Sequence, residues 1–115
     1  MNLQATNRDI GSATVADISG RITLGEGSAM LRSMVRQLLE HGRKHIVLNL
    51  ADVNYIDSSG IGELVSSFTA VKKEGGELKL LHLTKKVHDL LLITKLFTVF
   101  DVHTDEEKAI TSFSS

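Results

Sequence analysis

The stretch His45-Ile46-Val47-Leu48-Asn49-Leu50, followed by Ile56-Asp57-Ser58-Ser59-Gly60-Ile61-Gly62, decides how the 115-residue chain is read. The first six residues form a near-continuous apolar run, the pattern of a central strand buried on both faces. Ile61, Leu64, Val65, Phe68 and Val71 then recur at helical spacing, which predicts a helix over Ser58–Lys73 and is the strongest helical pattern in the chain. Gly75-Gly76 ends it. A buried strand running directly into an amphipathic helix is the unit of an α/β sheet.

The same reading extends in both directions. Downstream, Leu78–Leu83 is a strand, Thr84 caps a helix reaching Thr94 with Val87, Leu90 and Leu91 inward, and Val99–His103 is a short last strand. Thr104-Asp105-Glu106-Glu107 has capping-box spacing and opens a final short helix that packs Ile110 and Phe113. Upstream, Gly42 closes a helix striped by Leu31, Met34, Val35 and Leu38, with Met30 and Met34 as core filling. Thr23-Leu24-Gly25-Glu26 has the spacing of its capping box. Residues 3–19 hold two short strands around a turn at Asp9–Ser12; Asp17 in the second, Ala13–Ser19, leaves its burial open. The predicted order ββαβαβαβα makes one α/β domain spanning 1–115. Its mixed sheet is mostly parallel, with an N-terminal antiparallel hairpin, and about four helices cover it.

Composition narrows the function. Thirteen Lys and Arg against fourteen Asp and Glu leave a formal charge of -1, without the basic excess of a nucleic-acid binder. One Tyr, four Phe and no Trp offer little for stacking on bases or sugars. The absence of Cys removes disulfides, thiolate nucleophiles and Cys-ligated zinc, and fits a cytoplasmic protein. The absence of Pro removes polyproline ligand segments. Met1–Gln4 lacks the basic and apolar regions of a signal peptide, and no apolar run is long enough to span a bilayer.

Catalytic motifs are missing. There is no Gly-x-Ser-x-Gly, no Gly-x-Gly-x-x-Gly and no P-loop. His41, His45, His82, His88 and His103 show no ligand spacing and read as surface or structural residues. Lys72-Lys73 and Lys85-Lys86 read as solvated pairs at helix ends. No metal, cofactor or enzymatic activity is expected; a Ser58–His–Asp57 hydrolase is the weakest alternative.

The segment Asn54–Gly62 carries the functional reading. It lies at the carboxyl end of a central strand, where sites gather in open α/β sheets. A Ser at the following helix start can be a cap, an anion ligand or a phosphorylation target. Glycines at 60 and 62 leave the surface around Ser58, Gly62 and Ser66 low, open either to a partner or to close packing within the chain.

His45–Leu50, Ile56–Gly62 and Gly75-Gly76-Glu77-Leu78 together resemble the STAS domain, and within it the bacterial anti-sigma factor antagonists. The resemblance runs from the opening strands to the last helix. It implies a partner switch: the unmodified protein binds an anti-sigma factor that is also a serine kinase and so frees a sigma factor. The kinase phosphorylates the Ser after the Asp, here Ser58, binding is lost, and a PP2C-type phosphatase restores it. Only the family pattern chooses Ser58 over Ser59. Asp57, Ser58, Ser59, Gly60, Gly62, Ser66 and Thr23 are the partner-contact residues it implies, with no direct nucleic-acid contact. Members often carry acidic residues after the second strand, where this chain has Arg21 and Thr23. The alternatives are a STAS subunit of a different regulatory or transport-associated complex, or a small-molecule or nucleotide-binding module using the Gly60–Gly62 helix start.

Overall fold

In a computed structural model that describes residues 3–113, the hairpin comes first. β1 (Gln4–Ile10) and β2 (Ala13–Ile22) pair antiparallel from Gln4↔Ser19 to Ile10↔Ala13, turning through Gly11 and Ser12. α1 (Glu26–Glu40), β3 (His45–Ile56), α2 (Ser58–Lys73), β4 (Glu77–Leu81), α3 (Lys85–Ile93), β5 (Asp101–His103) and α4 (Glu106–Thr111) follow. The five strands lie in the order β1-β2-β3-β4-β5, and every pair after the hairpin is parallel. This is the predicted element order and the predicted mixed sheet. The leader-peptide reading rests partly on Met1 and Asn2, which lie outside the described residues.

Alternation along the strands splits the apolar residues between two faces. One cluster joins Ile46, Leu48 and Leu50 of β3 and Leu78 and Leu80 of β4 to Leu31, Val35 and Leu38 of α1, Ile61, Leu64 and Val71 of α2, and Val87 and Leu91 of α3. Met30 and Met34 pack against it as expected. A smaller cluster joins Val15, Val47 and Leu81 to Ala109 of α4, with Ile110 and Phe113 alongside. Ile46, Val47, Leu48 and Leu50 are all fully buried, so β3 is the two-faced central strand its apolar run predicts. Burying each such side chain contributes about 1.5–3 kcal/mol.

Strand boundaries differ from the sequence reading: β5, for one, begins at Asp101 and not at Val99. β2 continues past Ser19 to Ile22, because register shifts between Asp17 and Ser19 and between Gly20 and Arg21 realign it on β3 as far as Ile22↔Ile56. β3 therefore runs to Ile56. β4 pairs only with His45–Asn49, so α3 flanks the outer half of β3. There the Thr84 hydroxyl donates to the Val53 carbonyl (3.2 Å) and accepts from the Val87 N–H. β4 stops at Leu81, short of Leu83, where His82 takes a φ of 56° that no strand continues.

Two capping boxes are also corrected. The Thr23 side chain does not cap α1: Gly25, at φ 95°, holds that position and delays the helix to Glu26. Thr23 instead offers its carbonyl to the N–H and hydroxyl of Ser28, both at 3.0 Å. In α4 the cap is Asp105 rather than Thr104. Its carboxylate accepts from the Lys108 N–H at 3.1 Å. Gly42 and Gly75 close α1 and α2 in Schellman turns, with Arg43 N–H to Leu38 O and Gly76 N–H to Val71 O. α3 ends in the same way with Lys95 at φ 63° in place of glycine.

Asp17, whose burial the sequence left open, is half-buried and anchors a cross-sheet cluster. Arg8 of β1 donates to both Asp17 oxygens (2.5 and 3.0 Å) and both Glu106 oxygens (2.6 and 3.1 Å), while Asn49 donates to Asp17 at 2.8 Å. One guanidinium thus ties the hairpin to six-residue α4. Its hydrogen bonds hold the Asp17 and Glu106 carboxyls below their ordinary values. Depressed carboxyl pKa values contribute stability that is full above the unfolded value and is lost as pH falls through the folded one. The melting temperature should therefore be flat near neutrality and fall below about pH 4.5. Arg8→Ala should cost roughly 1 kcal/mol at pH 7 and shrink that acid loss, as circular-dichroism melts across pH will show.

Candidate functional site

β3 hands over to α2 through one residue, Asp57, in extended conformation (φ -107°, ψ -175°). Its N–H donates to the Ile22 carbonyl at 3.3 Å, which keeps the ends of β2 and β3 together. One carboxylate oxygen accepts from the Gly60 N–H at 2.8 Å; the other accepts from the Leu24 N–H at 3.1 Å. Asp57 is therefore the N-cap of α2 and a staple on the β2–α1 loop. The Gly60 N–H first, then that of Leu24, holds its carboxyl below the usual range, so it is ionised at neutral pH.

That assignment settles what the serines are free to do. The cap role considered for a serine belongs to Asp57. Ser58 becomes the first helical residue; it is exposed, and among the described residues its hydroxyl has no hydrogen-bond partner. Ser59 follows, half-buried. The Ser58–His–Asp57 arrangement is not formed, since both Asp57 oxygens are held by backbone N–H groups. The histidines meet other groups: His45 stacks on Phe113, His88 meets Phe97, and His103 lies 3.0 Å from Asp101.

The two glycines of the first turns do different things. Gly60 is buried, and a Cβ there would stand 2.1 Å from the Ile22 carbonyl oxygen and 2.6 Å from Ile56 Cγ1. Its close approach is to β2 and β3, which is the close packing within the chain that the sequence left open beside approach by a partner. A Cβ on Gly62 would meet nothing within 4 Å. Ser58, Gly62 and Ser66 recur every four residues and are all exposed, making a low strip down one face of α2. Ser66 lies at the far end of the strip, on the wall of a groove between α1 and α2, where Arg32 pairs with buried Glu63 at 2.9 Å.

Thr23 is half-buried in the adjoining loop. The residue that sequence reasoning missed is the next one. Leu24 is 78% exposed while its N–H is fixed by Asp57. Its signature was a large apolar residue falling outside the helical stripe. The other exposed large apolar residues, Leu92, Ile93 and Val99, lie at or beyond the end of α3. Lys85 and Lys86 are both exposed, as the solvated reading expects; Lys85 pairs with Asp89 at 2.7 Å and Lys86 lies over the Tyr55 ring.

The STAS domain family model matches residues 4–109, and the chain belongs to that family. Two relatives span almost its whole length. An anti-sigma-B factor antagonist of Bacillus subtilis is 32% identical over 110 residues, covering 96% of this chain and 99% of the relative. An anti-sigma F factor antagonist of Paenibacillus polymyxa is 28% identical over 112 residues, covering 96% and 95%. Among solved structures, an anti-sigma factor antagonist from Mycobacterium paratuberculosis superposes with a TM-score of 0.84 at 18% identity, over 96% of this chain and 93% of that one. The anti-sigma factor antagonist SpoIIAA superposes in its unphosphorylated form (TM-score 0.69, 19% identity, 94% and 96% covered) and its phosphorylated form (0.72, 17%, 94% and 97%). Among the described residues no helix is long and apolar enough to cross a membrane.

The glycine contrast is testable. Gly60→Ala should destabilise by roughly 2–3 kcal/mol, because the backbone carbonyl it would strike cannot rotate away. Gly62→Ala should be neutral or stabilise by up to about 1 kcal/mol through helix propensity. Urea denaturation of the two variants measures both.

Proposed function

We propose that this chain is a cytoplasmic, non-enzymatic anti-sigma factor antagonist switched by phosphorylation of Ser58. The observation that carries the reading is the Ser58 hydroxyl, exposed and unbonded at the first position of α2 because Asp57 takes the cap. In this reading the unmodified chain docks Ser58, Gly62 and Ser66, together with the Thr23–Leu24 loop, against an anti-sigma factor and releases the sigma factor. Asp57 and Gly60 shape that surface from below, and Ser59 borders it. The anti-sigma factor acts as the kinase, moving a phosphoryl group from ATP to the Ser58 oxygen, and a PP2C-type phosphatase removes it. The relatives named as antagonists support the partner class, and Ser58 is the Ser that follows the Asp in the family pattern.

The physics of the switch is local. A phosphate on Ser58 adds about -1.5 to -2 charges at pH 7. At the first turn of α2 the helix dipole tolerates that charge, so the modified protein stays folded. Docking is different: the phosphate would have to be desolvated against the partner with the Asp57 carboxylate one residue away. A loss of about 1.4 kcal/mol in binding is already tenfold in affinity, so a modest penalty exchanges partners.

Ser58→Asp should weaken binding to the anti-sigma factor at least tenfold by calorimetry, while Ser58→Ala binds and takes up no phosphate. Ser59→Ala should remain a substrate, with phosphate found on Ser58 by mass spectrometry. Wild-type binding by Ser58→Asp, or phosphate on Ser59 alone, would sink the proposal.

A further inference from the structure

We infer that Arg21, Tyr55 and Lys86 form a second docking element beside Ser58, one that selects a partner presenting carboxylates. The Arg21 guanidinium carbon lies 4.8 Å from the centre of the Tyr55 ring, and the Lys86 ammonium lies 5.4 Å from the same centre. The three come from different elements: Arg21 from the end of β2, Tyr55 from the end of β3 and Lys86 from the first turn of α3. Among the described residues neither cation is paired with a carboxylate, whereas the adjacent Lys85 is held by Asp89. Arg21 and Lys86 are exposed and Tyr55 half-buried. An aromatic ring holding two cations orders their side chains in advance and leaves their charge unneutralised, which is the condition for receiving acidic groups.

The cluster belongs to the same end of the sheet as the switch. Arg21 precedes Ile22, whose carbonyl accepts the Asp57 N–H, and Tyr55 stands two residues before Asp57. Tyr55 and Ser58 are three residues apart, so their Cα atoms are within about 11 Å, beyond the Debye length of about 8 Å at physiological salt but inside it at low ionic strength. A phosphate on Ser58 would therefore lower the positive potential at this cluster at low salt, and less so as salt rises. Duplex nucleic acid fits less well, since its affinity comes from many phosphate contacts and this chain has two clustered cations on a formal charge of -1. The partner's identity as an anti-sigma factor rests on the proposed function above; its acidic character rests on the cluster.

The test uses the full chain and a purified anti-sigma factor that binds it, with affinity measured by calorimetry at 50 and 300 mM NaCl. Arg21→Glu/Lys86→Glu should weaken binding at least thirtyfold at low salt, and Arg21→Gln/Lys86→Gln at least fivefold. Both should flatten the salt dependence, with unchanged circular-dichroism spectra. The Gln pair decides the matter if the reversal misfolds. Affinity within threefold of wild type and an unaltered salt slope would overturn the inference, even if Ser58→Asp still abolishes binding. If the charge variants lose affinity while Ser58→Asp binds normally, the docking element stands and the phosphoswitch falls. Failure of every anti-sigma factor to bind wild type, or salt-sensitive binding of duplex DNA through these cations, overturns both.

Discussion

The end of β2 is pressed by two helices at once, and the rest of the site follows from that contact. Gly60 of α2 passes over the Ile22 carbonyl so closely that a Cβ would stand 2.1 Å from its oxygen. Gly27 of α1 passes over the Arg21 carbonyl, where a Cβ would stand at 2.6 Å. The Ile22 carbonyl also accepts the Asp57 N–H, so one strand end fixes where β3 stops, where α2 begins and how near α1 lies. Asp57 then completes the junction by holding Leu24 and Gly60 through its two oxygens. Because both helix starts are located by backbone contacts, the exposed side chains between them are free of structural duty.

Much of this was legible in the residues. The apolar run His45–Leu50 and the helical spacing of Ile61, Leu64, Phe68 and Val71 report burial directly, and burial decides the sheet and its best helix. The outer half of β3 was harder to see. Asp52 and Asn54 interrupt its apolar pattern because that half has β2 on one side and a helix, rather than a strand, on the other. Two capping boxes misled for a shared reason: spacing identifies groups that could bond, whereas the loop conformation decides which do. Gly25 at φ 95° moved the start of α1 beyond the reach of the Thr23 side chain. The role of Gly60 was ambiguous in the sequence because a glycine that admits a partner and one that admits a neighbouring strand look the same.

The site therefore divides its tasks by depth. Carboxylate and buried glycine serve the fold; serine, exposed glycine and Leu24 face outward. Around them lies the Arg21–Tyr55–Lys86 cluster, which long-range pairing assembles from three elements and which no local motif announces. On the opposite face of the sheet the Arg8–Asp17–Glu106 network holds α4 in place.

The unbonded hydroxyl of Ser58 has a consequence for information rather than for energy. Among the described residues no hydrogen bond of that hydroxyl has to be broken for the oxygen to be modified. The chain would then act as a label to be read by contact, and its state would last as long as the covalent bond that writes it.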